Sequence, residues 1–112
     1  MNLTEKWSTI NYTIKTNKIA ILALQEMHLD EKLASEINRC FHQSFNLQYL
    51  YNPNNERGSA RVAFVINKAL ISLKHIKVEA LIPGHIIILT IAWLGTQNIT
   101  IMNIYTLVNR QK

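Results

Sequence analysis

Residues 18 to 30 read Lys-Ile-Ala-Ile-Leu-Ala-Leu-Gln-Glu-Met-His-Leu-Asp, and the fold is decided by how they are read. Ile19 to Leu24 are six consecutive apolar residues without alternation, which predicts a strand buried on both faces. The polar pair Gln25 and Glu26 follows, and Asp30 opens a new helix. In α/β architectures the carboxyl ends of strands present functional side chains. Glu26 is therefore expected as an acid carried to the rim of a sheet by a rigid strand. Such a position suits a hard cation such as Mg²⁺, which takes carboxylate oxygens and keeps several waters. The plainer alternative is a loop or helix-capping carboxylate with no metal.

Working outward, Leu3, Trp7, Ile10 and Ile14 recur at helical spacing, which predicts an amphipathic helix over residues 5 to 16, ended by Asn17 and Lys18. After Asp30, the stripe Leu33, Ile37, Phe41 and Phe45 predicts a second helix over 31 to 45, with Glu31 and Glu36 favouring its amino-terminal half through the dipole. Cys40 and His42 lie in or beside that stripe and read as packing residues. A short strand is expected at 47 to 51, a loop at 52 to 60, and a second doubly buried strand at 61 to 66. Residues 75 to 82 alternate, as a half-exposed strand does. Pro83-Gly84 is a turn, and strands 86 to 93 and 98 to 105 form a hairpin across 94 to 97.

The expectation is an α/β (α+β) fold: one mostly β sheet with two helices on one face, in a single partial domain over residues 1 to 112. Two helices cover one face of such a sheet, yet strands 19 to 24, 61 to 66 and 86 to 92 read as buried on both. The sheet is thus expected to lack a layer.

Composition narrows the function classes. An apolar fraction of 48% with 17% charged residues excludes a disordered chain. The formal charge of +5 leaves room for an acidic partner such as nucleic acid, although no block of five like charges occurs. A single cysteine cannot form an internal disulfide, which favours a reducing, intracellular compartment. Cys40 and His42 have no second pair at zinc spacing. No signal peptide is visible, and the longest apolar run, 86 to 94, falls far short of the ~20 residues that span a bilayer.

Three pieces, in this order, resemble the endonuclease/exonuclease/phosphatase superfamily, the deoxyribonuclease I-like fold. They are Leu-Gln-Glu-Met-His-Leu at 24 to 29, Arg-Gly-Ser-Ala-Arg-Val-Ala-Phe-Val-Ile-Asn-Lys at 57 to 68, and Ile-Thr-Ile-Met-Asn-Ile-Tyr-Thr at 99 to 106. The likeness is greatest to endonuclease domains of LINE-type (non-LTR) retrotransposons, in which a Lys-Trp helix, here Lys6-Trp7, runs into a Gln-Glu-Thr-His-Leu motif. It covers Lys6 to Tyr105 and implies the amino-terminal half of an α/β sandwich, whose other layer would cover the bare face. It also implies Mg²⁺-dependent hydrolysis of phosphodiesters, namely the nicking of DNA during retrotransposition. Glu26 then matches the metal-ligand glutamate, Tyr105 the tyrosine that contacts phosphate, and Asn103 the asparagine on the same strand. The expected location is intracellular, the nucleus included.

The chain departs from the family's pattern. Met27 stands for the usual Thr, Arg61 for a Gly and Leu107 for a Pro. The amino-terminal asparagine motif would fall before the first helix. The Asp-x-Asn pair, a later Asp and the terminal Asp-His would fall after residue 112. His28 belongs to the Gln-Glu motif and is not that histidine. A truncated, inactive relative is therefore expected, without a base and without a second acidic ligand. A non-catalytic DNA-binding module is the alternative, through a basic patch of Arg57, Arg61, Lys68, Lys74, His75 and Lys77. A further alternative is association with a second copy or with the missing half of the domain.

Overall fold

The computed structural model describes residues 3 to 50, 60 to 83, 85 to 93 and 97 to 105, and among these are two α-helices, a short 3-10 helix at Leu73–His75 and six strands. Of residues 3, 4, 26 and 93 it describes the backbone alone. The elements are α1 (Leu3–Thr16), β1 (Ile21–Leu29), α2 (Glu31–Cys40), β2 (Phe45–Tyr49), β3 (Ala60–Asn67), β4 (Ile76–Ile82), β5 (Ile86–Trp93) and β6 (Gln97–Ile104). The fold is mixed α/β. The loop expected at 52 to 60 lies, apart from Ala60, outside the described residues, as do Gly84, the hairpin tip at 94 to 96 and Arg57.

The strands form two antiparallel sheets, not one. The first has the order β1-β3-β2 and the second β4-β5-β6. The central strand β3 explains the arrangement. Every residue from Val62 to Asn67 is buried, and the alternating side chains go to two different cores. Ala63 and Val65 face the helices and join Trp7, Ile14, Ala34, Ile37, Phe45 and Leu47. Val62, Phe64 and Ile66 face the second sheet and meet Ile87, Leu89 and Ile91 of β5. The result is three layers, helix on sheet on sheet.

The expectation of a missing layer is corrected accordingly. The second face of β3 is covered by strands of the same chain. Nor are all three apolar runs doubly buried. β1 is an edge strand, in which Ile21, Leu22 and Leu24 are half-buried and Ala23 is exposed. β5 is fully buried on one face only, through Ile87, Leu89 and Ile91. The outer face of the second sheet leaves Met102 and Ile104 exposed, and Leu81 and Ile82 at the end of β4 are exposed too.

Local structure follows chemistry at each helix end. Asp30 caps α2 as expected, its Oδ1 accepting from the amide of Leu33 at 2.7 Å. α2 then stops at Cys40, five residues earlier than its apolar stripe suggests. Phe45 opens β2 instead, because pairing with Asn67 and Ile66 of β3 captures residues 45 and 46. Asn38 secures the exit: its side-chain amide donates to the carbonyl of Leu47 at 3.1 Å and accepts from the amide of Leu47 at 2.7 Å.

α1 ends in a Schellman turn. The amide of Ile19 bonds the carbonyl of Ile14 at 2.9 Å, that of Lys18 bonds Lys15 at 3.4 Å, and Lys18 takes the left-handed conformation with φ 51. The buried Asn67 locks the reversal by donating to the carbonyls of Ile14 at 3.3 Å and Ile19 at 3.0 Å. No helix among the described residues is long and apolar enough to cross a membrane.

Candidate functional site

The carboxyl ends of β1 and β6 meet the start of β3 at one end of the sandwich. β1 is longer than its apolar run: it continues through Gln25 and Glu26 to Leu29, with a register irregularity against β3 between Gln25 and Leu29. Beyond the irregularity Met27 and Leu29 are buried on the helix side and His28 is exposed. Gln25, before it, reaches toward the second sheet, so the strand changes its facing within the polar pair's neighbourhood. The side-chain amide of Gln25 donates to the carbonyl of Ile104 at 2.6 Å and to Oδ1 of Asn103 at 3.3 Å. The backbone of Glu26 therefore lies one residue from a direct β1–β6 contact. Its carboxylate is outside the described side chains.

Asn103 projects from β6 into the space between the sheets and is 2% exposed. Its Nδ2 donates to the carbonyls of Leu24 at 3.1 Å and Ala63 at 3.0 Å. With the bond from Gln25, all three of these contacts reach the other sheet. Asn103 thus acts as a tie between sheets, its amide engaged by protein groups.

Tyr105 follows β6 directly. Its amide donates to the carbonyl of His85 at 2.8 Å, and its ring lies 6.1 Å from the His85 ring. The guanidinium carbon of Arg61 sits 5.7 Å from the same ring's centroid, in cation–π contact. Tyr105, Arg61 and His85 are all half-buried. β3, the turn before β5 and the end of β6 each contribute one of the three.

Other candidates lie elsewhere. Lys68 follows the far end of β3, about 23 Å from Arg61 at ~3.3 Å per residue, and its ammonium bonds the carbonyl of His42. Lys74 and His75 precede β4, whose start pairs with the far end of β5. Lys77 is 2.8 Å from Glu79, whose hydrogen bond and then charge hold the ammonium above its usual range. Of the described members of the expected basic patch, Arg61 stands at the opposite end of β3, while Lys68 and Lys74 line one hollow at the far end. Hollows of about 530 Å³ among residues 68 to 74 and about 400 Å³ between Asn11 and residues 39 to 44 are also at that far end. Cys40 is a free, exposed thiol, and His42 Nδ1 contacts the carbonyl of Arg39 at 3.2 Å.

The fit of Mg²⁺ is limited. Among the described residues no three His, Cys, Asp or Glu side chains gather to hold a metal ion. Asp30 caps α2, Glu36 is 4.0 Å from Arg39, Glu79 faces Lys77, and Glu5 and Glu31 belong to the helices. Glu56 lies outside the described residues.

His85 adjoins Tyr105, and Gln25 adjoins Asn103, without having been expected there from the sequence. Gln25 was visible as half of a polar pair closing an apolar run. His85 carries no local signal, since only the pairing of β5 with β6 brings it to Tyr105. Compared with protein-family models, curated proteins and solved structures, the chain matches none.

Proposed function

We propose that this chain is a catalytically silent relative of the Mg²⁺-dependent phosphodiester-cleaving endonucleases, corresponding to the amino-terminal half of a deoxyribonuclease I-like sandwich and retaining a rim that meets a DNA backbone. One observation carries the reading. The Gln25 bonds to Asn103 and Ile104 bring the ends of β1 and β6 together. The backbone of Glu26 and the side chains of Asn103 and Tyr105, distant in sequence, thus come to one end of the fold. The silence follows from chemistry. Phosphodiester hydrolysis needs a positioned nucleophile, a base and cations to absorb developing charge. Among the described residues no group of three His, Cys, Asp or Glu side chains gathers at this rim or elsewhere. Groups acting as a unit lose nearly all turnover when members are absent. Incubated with supercoiled plasmid and Mg²⁺, the purified chain is expected to give no detectable nicking. Robust nicking abolished by Glu26→Ala would overturn the silence.

A second reading rests on a different observation. Leu81, Ile82, Met102 and Ile104 are exposed on the second sheet, and apolar surface of this kind favours association. On that reading the chain binds a second copy or a partner through this sheet. Sedimentation velocity is then expected to show a boundary that shifts with concentration. A single monomeric boundary over the whole range removes the reading.

A further inference from the structure

We infer that two copies of this chain associate through the free edge of β6, antiparallel about a two-fold axis at Thr100, so that their three-stranded second sheets join into one of six strands. The inference rests on the second reading above, association through this sheet, and fixes its occupant and its register.

β6 is the edge strand that carries no protection. An edge presents unpaired amides and carbonyls, and proteins keep edges from pairing by shortness, bulges, prolines and charges, lysine above all. Each of the other edges carries such a device. β2 has only five residues, and β1 has a register irregularity between Gln25 and Leu29. β4 has one between Ala80 and Ile82 and bears Lys77 and Glu79. β6 is eight residues long, keeps an unbroken register with β5, and contains no charge, proline or glycine.

The phase of the backbone shows which groups are open. The Tyr105 amide donates to the His85 carbonyl at 2.8 Å, so Tyr105 turns its backbone toward β5. Successive strand residues alternate in this respect. Asn103, Ile101 and Ile99 therefore do the same, while Asn98, Thr100, Met102 and Ile104 turn theirs to the edge. The Gln25 side chain fits this phase, since it takes the Ile104 carbonyl at 2.6 Å. Among the described residues nothing bonds Asn98, Thr100 or Met102 from that side.

These groups suit a second copy. Ile99-Thr100-Ile101 reads the same in both directions. An antiparallel copy centred on Thr100 sets Thr100 against Thr100, Asn98 against Met102, and Ile99 against Ile101. A register moved toward Ile104 is disfavoured, because that carbonyl is already held. Ile99 adds the apolar reason. It pairs with the buried Ile91 and so faces the inner side of the sheet, yet it is 40% exposed. Ile101 of a second copy covers it, as cross-strand β-branched pairs do. The chain's charge of +5 opposes self-association, but an uncharged edge is where that repulsion is least. The contact uses the same edge of both copies, so it closes as a dimer and does not propagate.

The test is sedimentation velocity of the full chain over a range of concentrations, with a monomer–dimer equilibrium expected. Thr100→Pro removes an amide that points to the edge and leaves the β5 ladder whole, so it should raise the dimer dissociation constant by about tenfold or more. Thr100→Lys sets two ammonium groups opposite each other across the axis, and should weaken the dimer in a way that added salt partly reverses. Leu81→Lys, at the exposed end of β4 on the opposite edge, should leave the dimer unchanged. Circular dichroism shows whether each variant is folded. The wild-type chain supplies a measurement that needs no variant. Raising its concentration should slow hydrogen exchange at the amides of Asn98, Thr100 and Met102, and leave those of Ile99 and Ile101 as they were. A dimer that both Thr100 variants leave intact, or that Leu81→Lys abolishes, overturns this inference and spares association through the apolar face. So does a dimer without the alternating exchange pattern, or assembly that continues past two copies. A monomer at every concentration overturns both.

Discussion

Phe64→Ala is expected to lower the free energy of unfolding by about 3–5 kcal/mol, measured by urea denaturation. Phe64 is fully buried at the middle of β3 and faces the second sheet. Its backbone is paired on both sides, to Ala23 of β1 and Gln48 of β2, so the strand has little freedom to collapse into the vacated volume. The cost should therefore lie toward the upper end of that range, because cavity cost grows when surroundings cannot relax. Total stability of a domain is only about 5–15 kcal/mol, so the variant should stand close to unfolding. Phe64→Leu, which keeps most of the volume, should cost less than about 1.5 kcal/mol. A loss below about 1.5 kcal/mol for the alanine variant would show that the two sheets do not pack against each other through β3.

Asn103→Leu should be nearly as damaging, at about 2–4 kcal/mol, despite similar size. The wild-type amide donates to two carbonyls of the first sheet and accepts from Gln25, all from a position 2% exposed. Leucine removes all three bonds at once and leaves buried polar groups facing a methyl group. The effect differs in kind from that of Phe64. It removes orientation between sheets and not volume, so the slope with denaturant should stay constant while the midpoint falls. Gln25→Ala removes only the exposed partner and should cost under about 1 kcal/mol. Equal losses from Gln25→Ala and Asn103→Leu would contradict a buried tie centred on Asn103.

How far the sequence led is clearest at single residues. Asp30, Asn17 and Lys18 act through their nearest neighbours, and the helix boundaries they mark are where expected. Local signals likewise marked β3 to β6: a β-branched and aromatic run at 61 to 66, alternation at 75 to 82, and two apolar stretches joined by a turn at 86 to 93 and 98 to 105. It did not locate the end of α2, where Phe41 and Phe45 continue an i+4 stripe as well as any helix does. Pairing of Phe45 with Asn67, twenty-two positions away, decided the matter. Nor did it separate one sheet from two. Alternation shows that a face is apolar without naming the face it meets, and so β5 covering β3 was read as a missing layer. At the rim, Asn103 and Tyr105 share a strand end and were visible together. Arg61 and His85 join them only through non-local topology.

The turn at Lys18 bears on how the molecule carries load. One side-chain amide, that of Asn67, grips the carbonyls of Ile14 and Ile19 on both sides of the reversal, and the Asn67 backbone amide holds Ala20. A pull applied to the amino-terminal helix therefore reaches the last residue of the central strand directly, without passing along β1. Residues 14 to 20 are thereby a mechanical part of the core, tied to the end of β3, not an appendage to it.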